Sequence, residues 1–200
     1  MVSHPQNENR MKKVLYLLAI IAFALSSCKP STPVVRQEFP DAYDLAYQEI
    51  YGHFYDSVPY AVVALDLYSE GLTLNKDHKM EGTGYNLYLS DIFVPDSLLE
   101  EGEYTSLSLG EGRGEISTIQ PYTFLAGRDY EGTPHGMYIL SIGDGKVASV
   151  QILDSGSFVY RGDSLLFTLY YRNSRGEKCT YRPVFGGSLL PYTPTKEYER

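Results

Sequence analysis

The chain has no tryptophan, two cysteines and four histidines in 200 residues. Cys28 and Cys179 lie far apart, and His4, His53, His78 and His135 fall in separate segments. No Cys/His spacing of a zinc site is present, and no multi-bridge disulfide framework can be built. Positive charge is also scarce: 17 lysines and arginines stand against 25 acidic residues, a net charge of −8. That balance repels polyanions and argues against nucleic acid as a partner. Helical periodicity is rare past residue 56. What is abundant is tyrosine, 19 residues against 8 phenylalanines. Tyrosine favours strands and can bury its ring while its hydroxyl stays in water.

The N-terminus carries an address. Lys12 and Lys13 precede the apolar run Val14 to Leu25. At about a dozen residues the run is too short to cross roughly 30 Å of hydrocarbon as a helix, but it matches a secretory h-region. It closes on Leu25-Ser26-Ser27-Cys28, which resembles the lipobox of bacterial lipoprotein signal peptides. The resemblance implies cleavage before Cys28, lipidation of Cys28, and a membrane partner reached through that N-terminal acyl anchor. Residues 1–27 are then a signal peptide, with Met11 expected as the true start. Residues 28–40 follow as a flexible tether containing Pro30 and Pro33, and 41–200 as a β domain. Loss of 1–27 removes Arg10, Lys12, Lys13 and Glu8 and takes the net charge from −8 to −10.

The remaining length suits one domain. Short β-rich runs are broken by Gly, Asp, Asn and Pro about every ten residues, the pattern of an all-β chain. Tyr60 to Tyr68 reads as a central strand, and Tyr85 to Val94 alternates, with Tyr85, Leu87, Leu89 and Phe93 on one face. Gly143-Asp144-Gly145, Arg161-Gly162-Asp163 and Asn173-Ser174-Arg175-Gly176 punctuate three successive hairpins. The expected fold is a single antiparallel β-sandwich or a closed β-barrel-like meander built from hairpins. Residues 41–56 are the exception. Tyr43, Tyr47, Ile50 and Phe54 recur at helical spacing behind Asp41, so a short helical turn entering an edge strand is expected there.

A succession of elements extends over most of the mature chain: Tyr51-Gly52-His53-Phe54-Tyr55-Asp56, Tyr85 to Leu89, Glu101 to Thr105, Gly162 to Leu169, Gly176-Glu177-Lys178 and Phe185-Gly186-Gly187. It resembles small, uncharacterised β-rich envelope lipoproteins of the Bacteroidetes type. That resemblance implies a sandwich or barrel-like domain, an outer-membrane location and no catalytic residues. Surface-exported members often carry acidic residues just after the acylated cysteine. Here none precedes Glu38, which favours the periplasmic face over the cell surface.

Few motifs carry chemistry. Gly162-Asp163-Ser164-Leu165 spells the nucleophile block of a family of serine esterases, but no histidine follows it and a serine without a base is not activated. It reads as a turn entering a strand. Gly110-Glu111-Gly112-Arg113-Gly114 lacks the Lys-Ser/Thr of a phosphate loop, and Glu100, Glu101 and Glu103 lack the spacing of a calcium loop. Cys179 is expected as a buried structural thiol. Asp56-Ser57-Val58, Asp96-Ser97-Leu98 and Asp163-Ser164-Leu165 fit the Asp-Ser/Thr-aliphatic acceptor pattern associated with Bacteroidetes protein O-glycosylation, making Ser57, Ser97 and Ser164 candidate acceptors. Asp-Ser is equally good turn chemistry.

No catalytic, cofactor-binding or metal-binding residue is assigned and no cofactor is expected. The sequence thus points to a non-enzymatic, lipid-anchored envelope protein acting by binding or structural contacts. One alternative is a glycan-binding accessory lipoprotein of a polysaccharide-uptake system, with Tyr85, Tyr88, Tyr122 and Tyr138 as stacking residues. Another is a fimbrillin-like subunit cut after a residue such as Arg36, with a protein partner.

Overall fold

A computed structural model describes residues 39–107 and 119–193. The expected signal peptide, Cys28, nearly all of the expected tether and Gly110 to Gly114 lie outside the described residues. Within them the fold is all-β, with no helix. The strands are β1 (Ala42–Tyr43), β2 (Leu45–Gly52), β3 (Ala61–Tyr68), β4 (Leu72–Leu74), β5 (Met80–Gly82), β6 (Gly84–Val94), β7 (Gly102–Leu107) and β8 (Thr123–Leu125). They continue as β9 (Arg128–Tyr130), β10 (Thr133–His135), β11 (Met137–Gly143), β12 (Lys146–Arg161), β13 (Ser164–Arg172), β14 (Lys178–Tyr181), β15 (Val184–Gly186) and β16 (Leu190–Tyr192).

The three expected hairpins form. Asp144 and Gly145 (φ 50° and 72°), Gly162 (φ 59°) and Gly176 (φ 77°) supply the positive dihedrals that tight turns require. They join β11 to β12, β12 to β13 and β13 to β14, all antiparallel. β12 is one 16-residue strand rather than two short ones. Its first half pairs with β11 and its second half with β7 and β13.

Pairing closes the sheet on itself. β6, β11, β12, β7 and β8 form a hydrogen-bonded ring of five strands, completed by the parallel pair β7–β8. β13 extends the ring from β12, and β3 and β2 extend it from β6. The parallel pairs β1–β15 and β2–β16 form the two ends of this sheet, with Ala42 opposite Val184 and Tyr47 opposite Leu190. One interior cluster draws on β1, β2, β3, β6, β7, β8 and every strand from β11 to β15. The closed ring of five strands is a barrel with further strands added to it, where the sequence had left sandwich and barrel open. At its centre Tyr104 stacks on Phe158 (ring centroids 4.5 Å, 5° between planes), with Phe124 and Phe167 at 5.3 and 5.5 Å from Phe158. Each such ring contributes about 1.5–3 kcal/mol on burial. Phe39 packs edge-on against Tyr85 and Tyr171 and tilts against Tyr181, whose hydroxyl donates to the Pro40 carbonyl.

Three expectations are corrected. Residues 41–56 hold β1 and β2, not a helical turn. Asp41 presents its carbonyl to the Val184 amide beside the parallel β1–β15 pair instead of capping a helix. Phe93 does not share the face of Tyr85, Leu87 and Leu89. A bulge at Ser90-Asp91 (Asp91 φ 51°) lets Ile92 and Val94 take the interior and turns Phe93 outward. Cys179 is half-buried rather than buried. It lies opposite Tyr171, its thiol 3.7 Å from the Glu177 carbonyl.

Candidate functional site

Alternation along β2, β3, β6 and β11 sends Ala46, Leu65, Leu67, Leu87, Leu89 and Ile139 inward. The residues between them face out, and the register aligns them. Tyr47 lies opposite Asp66, Asp66 opposite Tyr88, and Tyr88 opposite Tyr138, so one straight row crosses four strands. Along β3 the outward positions run Tyr68, Asp66, Ala64, Val62. Tyr68 is buried with Leu72 and Ile142 beneath the β4–β5 hairpin. Val62 is buried with Val58, Phe93, Ile119 and Leu125 in a second patch. The polar row thus crosses the outer face between two apolar patches.

Two carboxylates are held there by neighbouring side chains. Glu49 Oε2 accepts from the hydroxyls of Tyr51 at 2.7 Å and Tyr88 at 3.0 Å, and those two hydroxyls lie 3.5 Å apart. Asp66 accepts from the Tyr68 hydroxyl and from Asn86 Nδ2, which also donates to the Leu67 carbonyl at 3.1 Å. A third carboxylate, Asp91 in the bulge, accepts from the Tyr55 hydroxyl at 2.6 Å. Rings connect these groups. Tyr138 and Tyr88 lie 5.3 Å apart, Tyr51 meets Phe54 edge-on at 6.2 Å, Phe54 meets Tyr55 at 5.0 Å, and Tyr55 leans on Phe93. Phe54 is 61% exposed, the most open of the large apolar side chains among the described residues.

Protonation follows from burial. Burial pushes the Asp66 carboxyl up to about 6 from an ordinary 3.8; the bonds from Tyr68 and Asn86 pull it back, and the charge of Glu49 pushes it further up. Burial, then the Glu49 charge, holds the Tyr88 hydroxyl far above the usual phenol range. Burial and Asp91 do the same for Tyr55, against a smaller opposing pull from Arg128. Phenols held this firmly protonated are hydrogen-bond donors, not nucleophiles. The arrangement offers aromatic faces and fixed carboxylate acceptors. Among the described residues no group of three or more His, Cys, Asp or Glu is placed to hold a metal ion.

Of the four tyrosines singled out for stacking, Tyr88 and Tyr138 meet in this band. Tyr85 is one turn of the pleat away from sharing it: an odd step along β6 sends its ring against the interior cluster and Phe39. Tyr122 lies apart, packed on Tyr104 and donating to Glu100 at 2.8 Å, the bond that raises its pKa. The four therefore do not form one row. Ser57 and Ser97 are exposed in turns, whereas Ser164 opens β13 half-buried. Val58 and Leu165, which follow two of these serines, are buried anchors, while Leu98 is exposed. His78 stacks on Tyr192 at 4.2 Å and His135 meets Tyr130 edge-on. Glu49, Tyr51, Phe54, Tyr55, Asp66 and Asp91 escaped sequence reasoning. The alternation Tyr47-Gln48-Glu49-Ile50-Tyr51 carried the signal, but the helical spacing of neighbouring aromatics masked it.

No family model matches the chain, and neither a curated protein nor a solved structure matches it.

Proposed function

We propose that this is a non-enzymatic lipoprotein, acylated at Cys28 and held on the periplasmic face of an outer membrane, whose β barrel works by binding a glycan along the tyrosine–carboxylate band. The observation that carries the reading is the contiguous run Tyr138, Tyr88, Tyr51, Phe54 and Tyr55, with Glu49 and Asp91 fixed as acceptors beside it. Sugar rings present an apolar face to aromatic side chains and hydroxyl donors at their edges, and this band has a partner for each. The raised phenol pKa values keep Tyr88 and Tyr55 as hydrogen-bond donors, which favours binding over turnover.

Titration of the full chain with a panel of oligosaccharides tests the reading. Saturable binding that is lost in Phe54→Ala and Tyr138→Ala, with the fold unchanged, is expected. Silence across the panel overturns it. The anchor is tested separately by metabolic labelling with a fatty acid, which Cys28→Ala should abolish.

A further inference from the structure

A second exposed face lies on strands that the band does not use. Register sets Ala42 of β1 opposite Val184 of β15, Val184 opposite Leu166 of β13, and Leu166 opposite Val159 of β12. Their chain neighbours Tyr43, Phe185, Leu165 and Phe158 belong to the interior cluster, so this row faces out. Leu166 is 53% and Val184 42% exposed, Ala42 is exposed and Val159 half-buried. The result is an apolar row open to solvent across four strands, stopping at Glu103 of β7. Such rows mark contacts with proteins or membranes. Charge is a second, independent feature of the same face. Arg182 precedes Val184 by two residues and Arg161 follows Val159 by two, both exposed, so the pleat puts an arginine on either side of the row. From Ser155 to Gly187 the chain holds five basic residues and two acidic ones, against 17 and 25 in the whole, so this flank is positive in an acidic protein. The chain also enters the fold here. Phe39 lies three residues before Ala42, no more than about 11 Å from the end of the row. Cys28 is eleven residues further back, at most about 40 Å of extended chain.

We propose that this face rests on a lipid bilayer, with Ala42, Val184, Leu166 and Val159 at headgroup level and Arg161 and Arg182 on anionic headgroups. This rests on the acyl anchor at Cys28 proposed above and adds an orientation to it. An anchor within reach keeps the face at high local concentration beside the membrane. A contact too weak to recruit a free protein is then enough to orient a tethered one. Arginine suits the interface, because its stem lies along apolar surface while its guanidinium forks onto phosphate. A second copy is a poorer occupant: paired about a two-fold axis, the face would meet its own positive charge. The tyrosine–carboxylate band shares none of these strands, so the two surfaces do not compete for residues.

Methyl NMR of the full chain on nanodiscs of phosphatidylcholine and phosphatidylglycerol, doped with a lipid carrying a nitroxide on its headgroup, tests the orientation. The methyl signals of Val159, Leu166 and Val184 should be lost. Those of Leu98 and of Val147 at the other end of β12, which are equally exposed, should be kept. Omitting phosphatidylglycerol, raising the salt, or combining Arg161→Glu with Arg182→Glu should restore much of the lost signal. Equal loss at all five residues, or loss centred on Leu98 or Val147, would overturn the oriented contact and leave the anchor standing. Signals of the row that respond to protein concentration and not to the nitroxide would overturn it in favour of a second copy. No loss anywhere would mean that the chain does not reach the bilayer and would overturn both readings. The lipid and salt comparisons in the unaltered protein stand on their own should the double variant fail to fold.

Discussion

The barrel interior and the outer band use tyrosine in opposite ways. Inside, the rings of Tyr104 and Tyr181 are packed and their hydroxyls are satisfied by backbone or by another phenol. Tyr104 donates to the Glu100 carbonyl at 2.9 Å, and Tyr181 bonds to the Pro40 carbonyl and the Tyr43 hydroxyl. Outside, the hydroxyls of Tyr51, Tyr88, Tyr68 and Tyr55 end on carboxylates. A ring packed around a backbone bond holds a barrel together. A ring that fixes a charge at the surface holds a site in shape. Tyrosine content alone does not separate these roles, but the register does.

Substitutions should separate the faces in order of size. Phe158→Ala removes the ring at the centre of the interior stack and should cost about 3–5 kcal/mol of unfolding free energy by denaturant titration. A loss below about 1 kcal/mol would mean that the interior is not packed as described. Gly82→Ala should cost about 2 kcal/mol or more, since φ is +96° and a Cβ would stand 2.1 Å from the Gly71 carbonyl oxygen. Its effect should reach the β4–β5 hairpin first, read as faster amide exchange there.

Asp66 gives a contrast in pH. Its pKa is raised on folding, so its contribution to stability is full below the ordinary 3.8 and is lost as pH rises through about 6. Relative to Asp66→Asn, the unaltered chain should therefore lose about 2 kcal/mol between pH 4 and pH 8. Parallel stability curves for the two proteins would contradict a buried, uncompensated carboxylate. At the small end, Phe54→Ala should change stability by no more than about 0.5 kcal/mol, because the ring is largely in solvent, yet it should abolish binding. A large loss of stability there would move Phe54 from the site to the scaffold.

The parts of the fold with local signals were legible in the sequence. Turn residues with positive φ announced the β11–β12–β13–β14 meander, and apolar alternation announced β3 and β6. Parallel pairs carry no such signal: Tyr43 opposite Phe185 and Thr105 opposite Thr123 join segments with no shared turn. Barrel closure therefore stayed hidden. Residues 41–56 misled because tyrosine counts as apolar in a periodicity scan even where, as at Tyr47 and Tyr51, it faces outward beside carboxylates. Gln48, the inward residue between them, is polar and buried, which inverts the expected alternation at that point. Tyr88 and Tyr138 were found by residue type. Their partners Glu49 and Asp66 needed the register.

Ring-resolved NMR of the full chain with labelled tyrosine and phenylalanine, titrated with a bound oligosaccharide, addresses the division between faces most directly. The expected result is shifts at Tyr51, Phe54, Tyr55, Tyr88 and Tyr138 with Tyr43, Tyr104, Phe158 and Tyr181 unmoved. Shifts centred on the interior rings, or on Tyr122 and its surroundings instead of the band, would contradict it.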